Sequence, residues 1–436
     1  MSRETGGHGA PTRREYVKYS GAVIGGGLLA GCTGGSGDEA TDSDGDTTDS
    51  SAGSNGSATT QLDGTASDSG STVNTSGGTE SDGGSYSVSM EPVRSLEFES
   101  VPERFVVYHQ GWVDIALSLG QGEGIVGAGF PSTFPVEYLD QLPGISFDPS
   151  GVTTLGEGDS VDKEVFYEMD ADLHLVDPNS AKQYFGLDDA DIEELTNNVA
   201  PFFGSWMRRP QFDENYPYHE LYEGFDRVAQ VFQVTPRGDA FDRFHQQLVE
   251  EVRSRFPPVE ERPSIGYLNT FEGSVYMRDP SVPGYQTKPL RDLEVPKNDA
   301  FEGMYPEGEN ALESDFEGLL EADPEVIVLH AGLNSVRDGD DVLKPFRESP
   351  VASEVTAVKN GRVYPWHEFE QGPIINQFQT EVIAKSLYPE EFGAPTGMKL
   401  YAEDFGAPAG TATATPGQSG RLFDRERVVE IIEGDL

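Results

Sequence analysis

Cysteine is almost missing from this chain, because its 436 residues contain only Cys32. Without a second cysteine no internal disulfide can form, so the folded part must be stabilised by its core. The chain also lacks an apolar run of the roughly 20 residues that a membrane-spanning helix needs. The nearest candidate, Tyr19 to Gly31, is short and interrupted by glycines. We therefore interpret it as a targeting segment and not as an anchor helix.

Basic residues are scarce as well. The chain has 30 Lys and Arg against 76 Asp and Glu, which gives a formal net charge of −46. We expect nucleic acid and anionic membrane surfaces to repel this chain, because phosphate binding relies on clustered Lys and Arg, and we predict no nucleic-acid partner. The acids are spread along the whole chain, and in molar salt the Debye length falls to about 3 Å, which screens their repulsion. This composition predicts an extremely halophilic host, an archaeon.

The common catalytic motifs are also absent. The sequence contains no G-x-S-x-G nucleophile elbow, no H-E-x-x-H and no phosphate-binding P-loop. It also has no spare thiol once Cys32 is set aside. No nucleophile or metal-activated water therefore has support in the sequence. We predict a binding protein that is not an enzyme and that carries no cofactor.

Two motifs near the N-terminus predict export. Arg13 and Arg14 lie in TRREYVK, which resembles the twin-arginine export signal. LAGC, which ends at Cys32, resembles the lipobox that is cleaved just before a lipid-modified cysteine. We expect an exported protein held on the outer face of the cell membrane by a lipid on Cys32.

Composition divides the chain into six segments. After the signal peptide comes a Gly/Ser/Thr/Asp tether without Lys or Arg, which cannot bury a core and is predicted to be disordered. Both glycosylation sequons, at Asn55 and Asn74, lie in this tether. The predicted boundaries are a signal peptide (1–31), a tether (32–89), an N-terminal lobe (90–235), a connecting helix (236–257), a C-terminal lobe (258–393) and a partly flexible extension (394–436).

The folded segments alternate between strand and helix patterns. Short apolar runs predict strands, and apolar residues at three- and four-residue steps predict helices, of which Pro236 to Phe256 is the longest. Such alternation is typical of parallel α/β sheets, so we predict two Rossmann-like α/β lobes joined by one long helix, with a ligand cleft between them. The predicted strands are Arg104 to Tyr108, Ile125 to Ala128, Leu173 to Val176, Val199 to Phe203, Ile265 to Leu268, Val326 to His330 and Arg362 to Trp366.

An internal repeat supports two related lobes. DKEVFYEMDADLHLV from Asp162 matches DFEGLLEADPEVIVL from Asp315 at a constant offset of 153 residues. The acids alone would be weak evidence in so acidic a chain, but both segments also share the order helix, turn, strand. Duplicated α/β lobes form a ligand cleft beyond the carboxyl ends of their strands.

Longer segments resemble the ABC transporter substrate-binding proteins for ferric siderophores and cobalamin. PERFVVYHQGWVDIALSLGQGEGIVGAG resembles the start of their first lobe, and EADPEVIVL and AVKNGRVYPW resemble their second lobe. The resemblance implies two lobes bridged by a rigid helix, and delivery of a ligand to an ABC permease. It also implies that Glu164 and Glu317, at equivalent positions of the repeat, dock into arginine pockets of that permease.

The same resemblance implies a bulky ligand, either a ferric chelate or a related corrin or haem. Aromatic faces and guanidinium groups would complement such a ligand. Gly158 and Ala311 stand where the cobalamin-binding member has tryptophans, which argues against cobalamin itself. The candidate cleft residues follow predicted strand ends and are His109, Trp112, Trp206, Arg208, Tyr276, Arg278, Trp366 and His367.

Two other functions stay open. His109, His330 and His367 all lie at predicted strand ends and could bind a bare transition-metal ion such as zinc, manganese or iron. A cell-surface interaction protein without a transport role would also suit the tether. We expect a monomer in either case.

Overall fold

The structure is a computed structural model that describes residues 84–155, 161–209, 216–271, 273–296, 311–331, 339–368, 370–393, 395 and 420–436. The predicted signal peptide, Cys32 and nearly all of the predicted tether lie outside the described residues, and so do Arg13, Arg14 and Gly158. Among the described residues, no helix has the length and apolar character needed to cross a membrane.

The first lobe contains a four-stranded sheet, preceded by a hairpin of β1 (Tyr86–Met90) and β2 (Arg94–Phe98). The sheet strands are β3 (Phe105–Val107), β4 (Ile125–Ala128), β5 (Thr153–Thr154) and β6 (Leu173–Leu175). They are arranged in the order β5-β4-β3-β6. Every described pairing in this sheet is parallel.

Helices connect these strands and cover the sheet. Helix α1 (Gln110–Ser118) follows the central strand β3 directly. Apolar residues line its buried face, which packs into the main hydrophobic core of the molecule. The other helices of this lobe are α2 (Glu164–Met169), α3 (Pro178–Phe185), α4 (Asp189–Asn198) and α5 (Leu221–Val231).

The second lobe contains a five-stranded mixed sheet. Its strands are β7 (Ile265–Phe271), β8 (Ser274–Arg278), β9 (Ala311–Ser314), β10 (Val326–His330) and β11 (Val363–His367). They are arranged in the order β11-β10-β7-β8-β9. Strands β11, β10 and β7 are parallel, whereas β8 runs antiparallel to both of its neighbours, β7 and β9.

The long helix between the sheets is α6 (Thr235–Ser254). It agrees with the helix predicted from the spacing of Phe241, Leu248 and Val252, all of which are buried. The later helices are α7 (Lys288–Asp292), α8 (Phe316–Ala322), α9 (Gly339–Glu348), α10 (Thr356–Lys359), α11 (Pro373–Leu387), α12 (Pro389–Phe392) and α13 (Arg425–Glu433). The predicted α/β class with two lobes joined by one helix is therefore confirmed.

The two lobes meet through a buried carboxylate. Asp114, on α1 of the first lobe, accepts hydrogen bonds from the backbone N–H groups of Gly372 (2.7 Å), Ile374 (2.9 Å) and Ile375 (2.9 Å) at the start of α11 in the second lobe. The hydroxyl of Ser118 donates a fourth, at 3.0 Å. The first N–H groups of a helix have no partner within the helix, so Asp114 supplies the cap of α11 from the opposite lobe.

Two sequence predictions were wrong. Val199 to Phe203 was predicted as a strand, but the structure has only a single bridge there, between Phe202 and His174. The tether was predicted to run to Ser89, whereas strand β1 already begins at Tyr86. At Val199 to Phe203 a short apolar run was a poor guide, because tertiary contacts decide whether such a run pairs along its length. At the end of the tether, the alternation of Tyr86, Val88 and Met90 with serines is the signal of a strand that the polar composition obscured.

The C-terminal extension, predicted to be partly flexible, includes a helix that packs on the core. Arg425, the first residue of α13, is 2% exposed. Its guanidinium lies 3.4 Å from the ring centre of Phe423 and 4.4 Å from that of Phe378, and 3.0 Å from Glu381 on α11. The C-terminal extension is thus bound to the second lobe through a buried ion pair with Glu381 and a cation–π contact with Phe378.

Candidate ligand-binding cleft

Three aromatic rings form a stack on the first lobe. The ring centres of Tyr108 and Tyr184 are 5.4 Å apart, and those of Tyr184 and Trp206 are 5.6 Å apart, with interplanar angles of 23° and 22°. His109 meets Trp206 edge-on, with the ring centres 5.8 Å apart. Tyr108 and His109 come directly after strand β3, so the stack lies at the carboxyl end of the central strand of this sheet.

Trp206 is held in a fixed orientation by hydrogen bonds on both sides. Its indole N–H donates to the backbone carbonyl of Arg209 at 2.8 Å, and its backbone N–H donates to the hydroxyl of Tyr216 at 2.5 Å. Tyr216 in turn donates to Asp177 at 2.7 Å. A buried tryptophan needs a partner for its indole N–H group, and here the Arg209 carbonyl also orients the ring, while Tyr216 fixes the backbone.

A buried carboxylate joins the lobes beside this stack. Glu370, between β11 and α11 of the second lobe, is 6% exposed. Its carboxylate lies 2.9 Å from Nε of Arg208 and 2.9 Å from Nδ1 of His109, both on the first lobe, and it accepts a hydrogen bond from the Tyr285 hydroxyl at 2.8 Å. Burial by itself would raise the pKa of Glu370, but the charges of Arg208 and His109 lower it to about 2. Glu370 is therefore ionised at physiological pH.

Arg208 is one of three buried arginines whose charges act on one another. Arg208 and Arg209 come from the first lobe and Arg278 from the end of β8, and each is 8% exposed or less. Burial works against the charge of Arg208, but Glu370 outweighs it and raises the pKa. Burial and the positive charges of Arg208 and Arg278 lower the pKa of Arg209 to about 9. Burial also lowers the pKa of Arg278 to about 10, with Arg208 adding to the shift and Tyr267 opposing it.

The second lobe contributes a polar wall. The Tyr267 hydroxyl lies 2.6 Å from Nδ1 of His330, and the side-chain amide of Gln286 lies 3.2 Å from the same nitrogen. Gln286 also donates its backbone N–H to the carbonyl of Arg208 at 3.2 Å. Arg278 donates from Nε to the side-chain oxygen of Asn269 at 2.8 Å. The Tyr267 phenol and Gln286 of this lobe thus lie beside the arginine cluster, to which Arg278 itself belongs.

The structure brings together four of the eight predicted cleft residues: His109, Trp206, Arg208 and Arg278. Tyr276 is half-buried on β8 and shares a face of that strand with Arg278, two positions away. Trp112 is 2% exposed and lies in the hydrophobic core on α1. Trp366 and His367 belong to β11, but their side chains lie outside the described residues.

Sequence reasoning missed Glu370, Arg209, Tyr285, Tyr267 and Gln286. Glu370 could not be distinguished among 76 acidic residues, nearly all of them typical of a solvated surface. Arg209 could have been predicted from the sequence, because it adjoins the candidate Arg208 in a chain where basic residues are rare.

The histidines proposed as metal ligands do not meet in the described structure. His109 contacts Glu370 and Tyr285, whereas His330 contacts Tyr267 and Gln286. Within the described ranges, no group of three or more His, Cys, Asp or Glu side chains is arranged to hold a metal ion. The third proposed ligand, the side chain of His367, lies outside those ranges.

The two glutamates expected to contact a permease occupy matching positions. Glu164 and Glu317 are both exposed and both lie in the first turn of a short helix, α2 in the first lobe and α8 in the second. Each helix ends at an aspartate with left-handed backbone, Asp170 (φ 50°) and Asp323 (φ 42°). The two segments of the repeat therefore share the left-handed backbone conformation at the helix end as well as their sequence pattern.

A separate groove beside α6 shares no residue with the arginine cluster. Asp292 lies in it, 2.8 Å from Nε2 of His245 and 2.9 Å from Nζ of Lys288. Burial works against the charge of Asp292, but these two partners outweigh it and lower its pKa. Asp292 is thus paired with cations on two sides, whereas the charges of Arg208, Arg209 and Arg278 act on one another.

Comparisons with known proteins agree with this architecture. A family model described as periplasmic binding protein matches residues 106–368. The chain is 22% identical over 264 residues to the Fe(3+)-citrate-binding protein YfmC of Bacillus subtilis, which covers 60% of this chain and 72% of that protein. A periplasmic binding protein from Veillonella parvula superposes with a TM-score of 0.52 at 16% identity, covering 70% of this chain and 97% of the other. The iron uptake ABC transporter substrate-binding protein PiuA from Streptococcus pneumoniae gives a TM-score of 0.51 at 14% identity, covering 70% and 98%. At these identities, the solved structures show a shared fold.

Proposed function

This chain belongs to the periplasmic binding protein family, and from that premise we propose that it captures an anionic ferric chelate outside the cell and delivers it to an ABC import permease. The arginine cluster carries this proposal. Arg208, Arg209 and Arg278 are all buried, and the pKa values of the last two are lowered by burial and like charge. A negatively charged ligand would relieve that repulsion, so the site favours anions.

The chemistry of the side chains suits a chelate more than a simple anion. Guanidinium groups bind carboxylates and other planar oxyanions through two parallel hydrogen bonds. The stack of Tyr108, Tyr184 and Trp206 adds a large aromatic surface for the organic part of the ligand. Two similar proteins are named for Fe(3+)-citrate binding and for iron uptake, which supports iron as the cargo.

The ligand can enter only if the lobes move apart at the cleft. The three arginines and Glu370 are each 8% exposed or less, and they come from both lobes. Two contacts join Arg208 of the first lobe to the second lobe. Its carbonyl accepts a hydrogen bond from the backbone N–H of Gln286, and its guanidinium pairs with the carboxylate of Glu370. We propose that these contacts open to admit the ligand and re-form around it.

Titration of the purified chain tests the proposal. Tryptophan fluorescence is followed while ferric citrate, a neutral ferric trihydroxamate, cobalamin, haem or a divalent metal ion is added at fixed salt. We expect ferric citrate to bind, and we expect Trp206→Ala and Arg278→Gln each to weaken it about thirtyfold, or about 2 kcal/mol. Arg255→Gln is the matched control, because Arg255 lies on the surface and pairs with Glu391.

Other outcomes would point to the other functions. Binding of a bare divalent ion that His109→Ala abolishes would identify a metal-binding protein. Absence of binding to every ligand would favour a surface interaction protein without a transport role. If ferric citrate binds but both cleft variants retain full affinity, the site lies elsewhere.

We also propose that the protein is attached to the membrane by a lipid on Cys32 after export through the twin-arginine route. Cys32→Ser should release the protein into the medium or block its processing. Replacing Arg13 and Arg14 together with Lys should stop export. Cell fractionation followed by immunoblotting measures both effects, and a Cys32→Ser protein that remains in the membrane fraction would exclude the anchor.

A further inference from the structure

We propose that Glu370 is a specificity-determining residue, an internal carboxylate that occupies the Arg208 guanidinium and limits how much negative charge the cleft accepts. The proposal rests on the proposed function, because it assumes that the ligand is a ferric chelate bound at the arginine cluster. Nothing in the sequence motifs of the chain points to Glu370, which emerges only from its contacts.

The first argument is geometric. The carboxylate of Glu370 already makes the contacts that an acidic group of a ligand would seek: 2.9 Å to Nε of Arg208, 2.9 Å to Nδ1 of His109 and 2.8 Å to the hydroxyl of Tyr285. Arg208 and His109 belong to one lobe and Glu370 to the other, so the carboxylate bridges the cleft from the inside. An acidic ligand group that approaches Arg208 must share this guanidinium with Glu370.

The second argument is that Glu370 cannot easily withdraw. The backbone N–H of Glu370 donates to the carboxylate of Glu368 at 3.2 Å, and the Gln371 side chain donates to the Glu368 carbonyl at 2.9 Å. Asn376 of α11 holds Gln371 in turn, at 2.9 Å. The next residue, Gly372, donates its backbone N–H to Asp114 at 2.7 Å. The loop is therefore fixed at both ends, and the carboxylate stays close to any group bound by Arg208.

The third argument concerns charge. Glu370 is a full negative charge in a site where it is 6% exposed, and buried like charges interact strongly because little water screens them. It therefore opposes each additional negative charge that a ligand brings. A neutral chelate held by the aromatic stack would not experience this repulsion. Glu370 thus controls the relative affinity for anionic and neutral chelates more than the affinity for chelates in general.

The experiment compares two probes, ferric citrate and a neutral ferric trihydroxamate. For Glu370→Gln, which keeps the size of the side chain and removes its charge, we expect ferric citrate to bind about tenfold more tightly and the neutral chelate to change less than threefold. Glu370→Asp keeps the charge and should keep the ratio of the two affinities within about threefold of the unmodified chain. Glu260→Gln removes one charge from the exposed surface and controls for the net charge of the protein.

A second comparison guards against misfolding. Removing Glu370 alone leaves Arg208 without this partner, whereas the double change Arg208→Gln with Glu370→Gln removes both members of a buried pair and is better tolerated. If Glu370 repels anions, the double variant should bind ferric citrate about tenfold more tightly than Arg208→Gln alone. Equal changes for both probes, or a weaker binding of ferric citrate by Glu370→Gln, would overturn the inference while leaving the proposed function intact. If the unmodified chain binds neither probe, the proposed function fails, and the inference fails with it.

Discussion

Replacing Asp114 with asparagine removes a single charge from the buried contact between the lobes. One oxygen of Asp114 accepts hydrogen bonds from the backbone N–H groups of Gly372 and Ile375, and the other accepts from Ile374 and from the hydroxyl of Ser118. All of these hydrogen bonds are buried. An asparagine side chain of the same shape has only one acceptor oxygen.

The magnitude follows from this geometry. Whichever way the introduced amide is turned, its NH₂ group faces at least one backbone N–H at the start of α11. A buried donor without an acceptor costs about 1–3 kcal/mol. Removal of the negative charge adds nothing to this cost, because burial outweighs the four hydrogen bonds and raises the pKa of Asp114 to about 6. We therefore expect Asp114→Asn to lower the free energy of unfolding by about 2 kcal/mol.

Chemical denaturation at fixed salt, followed by tryptophan fluorescence, measures this change. Asp188→Asn is the matched control, because Asp188 caps α4 at the surface, through the backbone N–H of Asp191 at 2.9 Å, and asparagine is an equally good cap there. The control should stay within about 0.5 kcal/mol of the unmodified chain. A loss below about 1 kcal/mol for Asp114→Asn would refute the argument that this carboxylate holds the lobes together.

Three further predictions concern other parts of the molecule. His174 is fully buried, and burial lowers its pKa from 6.5 to about 4. Because protonation is disfavoured in the folded state, the free energy of unfolding should fall as the pH drops from about 6.5 to 4. His174→Leu should remove about 3 kcal/mol of that loss, measured by denaturation at both pH values. Arg425→Met should cost about 2 kcal/mol in the same assay, because Glu381 loses one of its two cations but keeps Lys385 at 2.7 Å. An unchanged midpoint would show that the pair of Arg425 and Glu381 adds nothing to the stability of the fold. Changing Glu164 and Glu317 together to Arg should abolish uptake in cells while ligand affinity stays within about twofold, and normal uptake would show that they are ordinary surface acids.

Much of the fold could be predicted from the sequence, because its pattern is local. The strand Val326–His330 has the predicted bounds and is entirely buried, and the long helix Thr235–Ser254 lies within two residues of the bounds predicted for it. The repeat at offset 153 was also visible. In the structure Asp172 accepts the backbone N–H of Arg104 at 2.9 Å, and Glu325 accepts that of Ser264 at 3.0 Å, so each repeat anchors the start of the neighbouring strand in the same way.

The site was harder to predict because its contacts are not local. His109, Trp206 and Arg208 were found because they follow a strand end or stand out as rare residue types. Neither Glu370 nor Tyr285 has such a feature in the sequence. Both contact His109, from which they are separated by more than a hundred residues along the chain. Their roles depend on burial, and in a strongly acidic chain the sequence does not show which acid is buried.

Comparison of the two repeated segments with each other does not reveal the cleft residues. The positions that match at offset 153 carry the architecture: the helix, the left-handed aspartate that ends it, and the acid that anchors a strand. The cleft residues Arg208 and Glu370 lie beyond the repeated segments, where the offset no longer holds: His174 bridges to Phe202, whereas Ile327, its equivalent at offset 153, pairs with Val363 and not with residue 355. Each lobe therefore supplies different groups to the cleft, with cations mainly from the first and the opposing carboxylate from the second. A symmetric pair of lobes would place like charges opposite one another, so a charged cleft of this kind requires that the repeat be broken at the residues that bind.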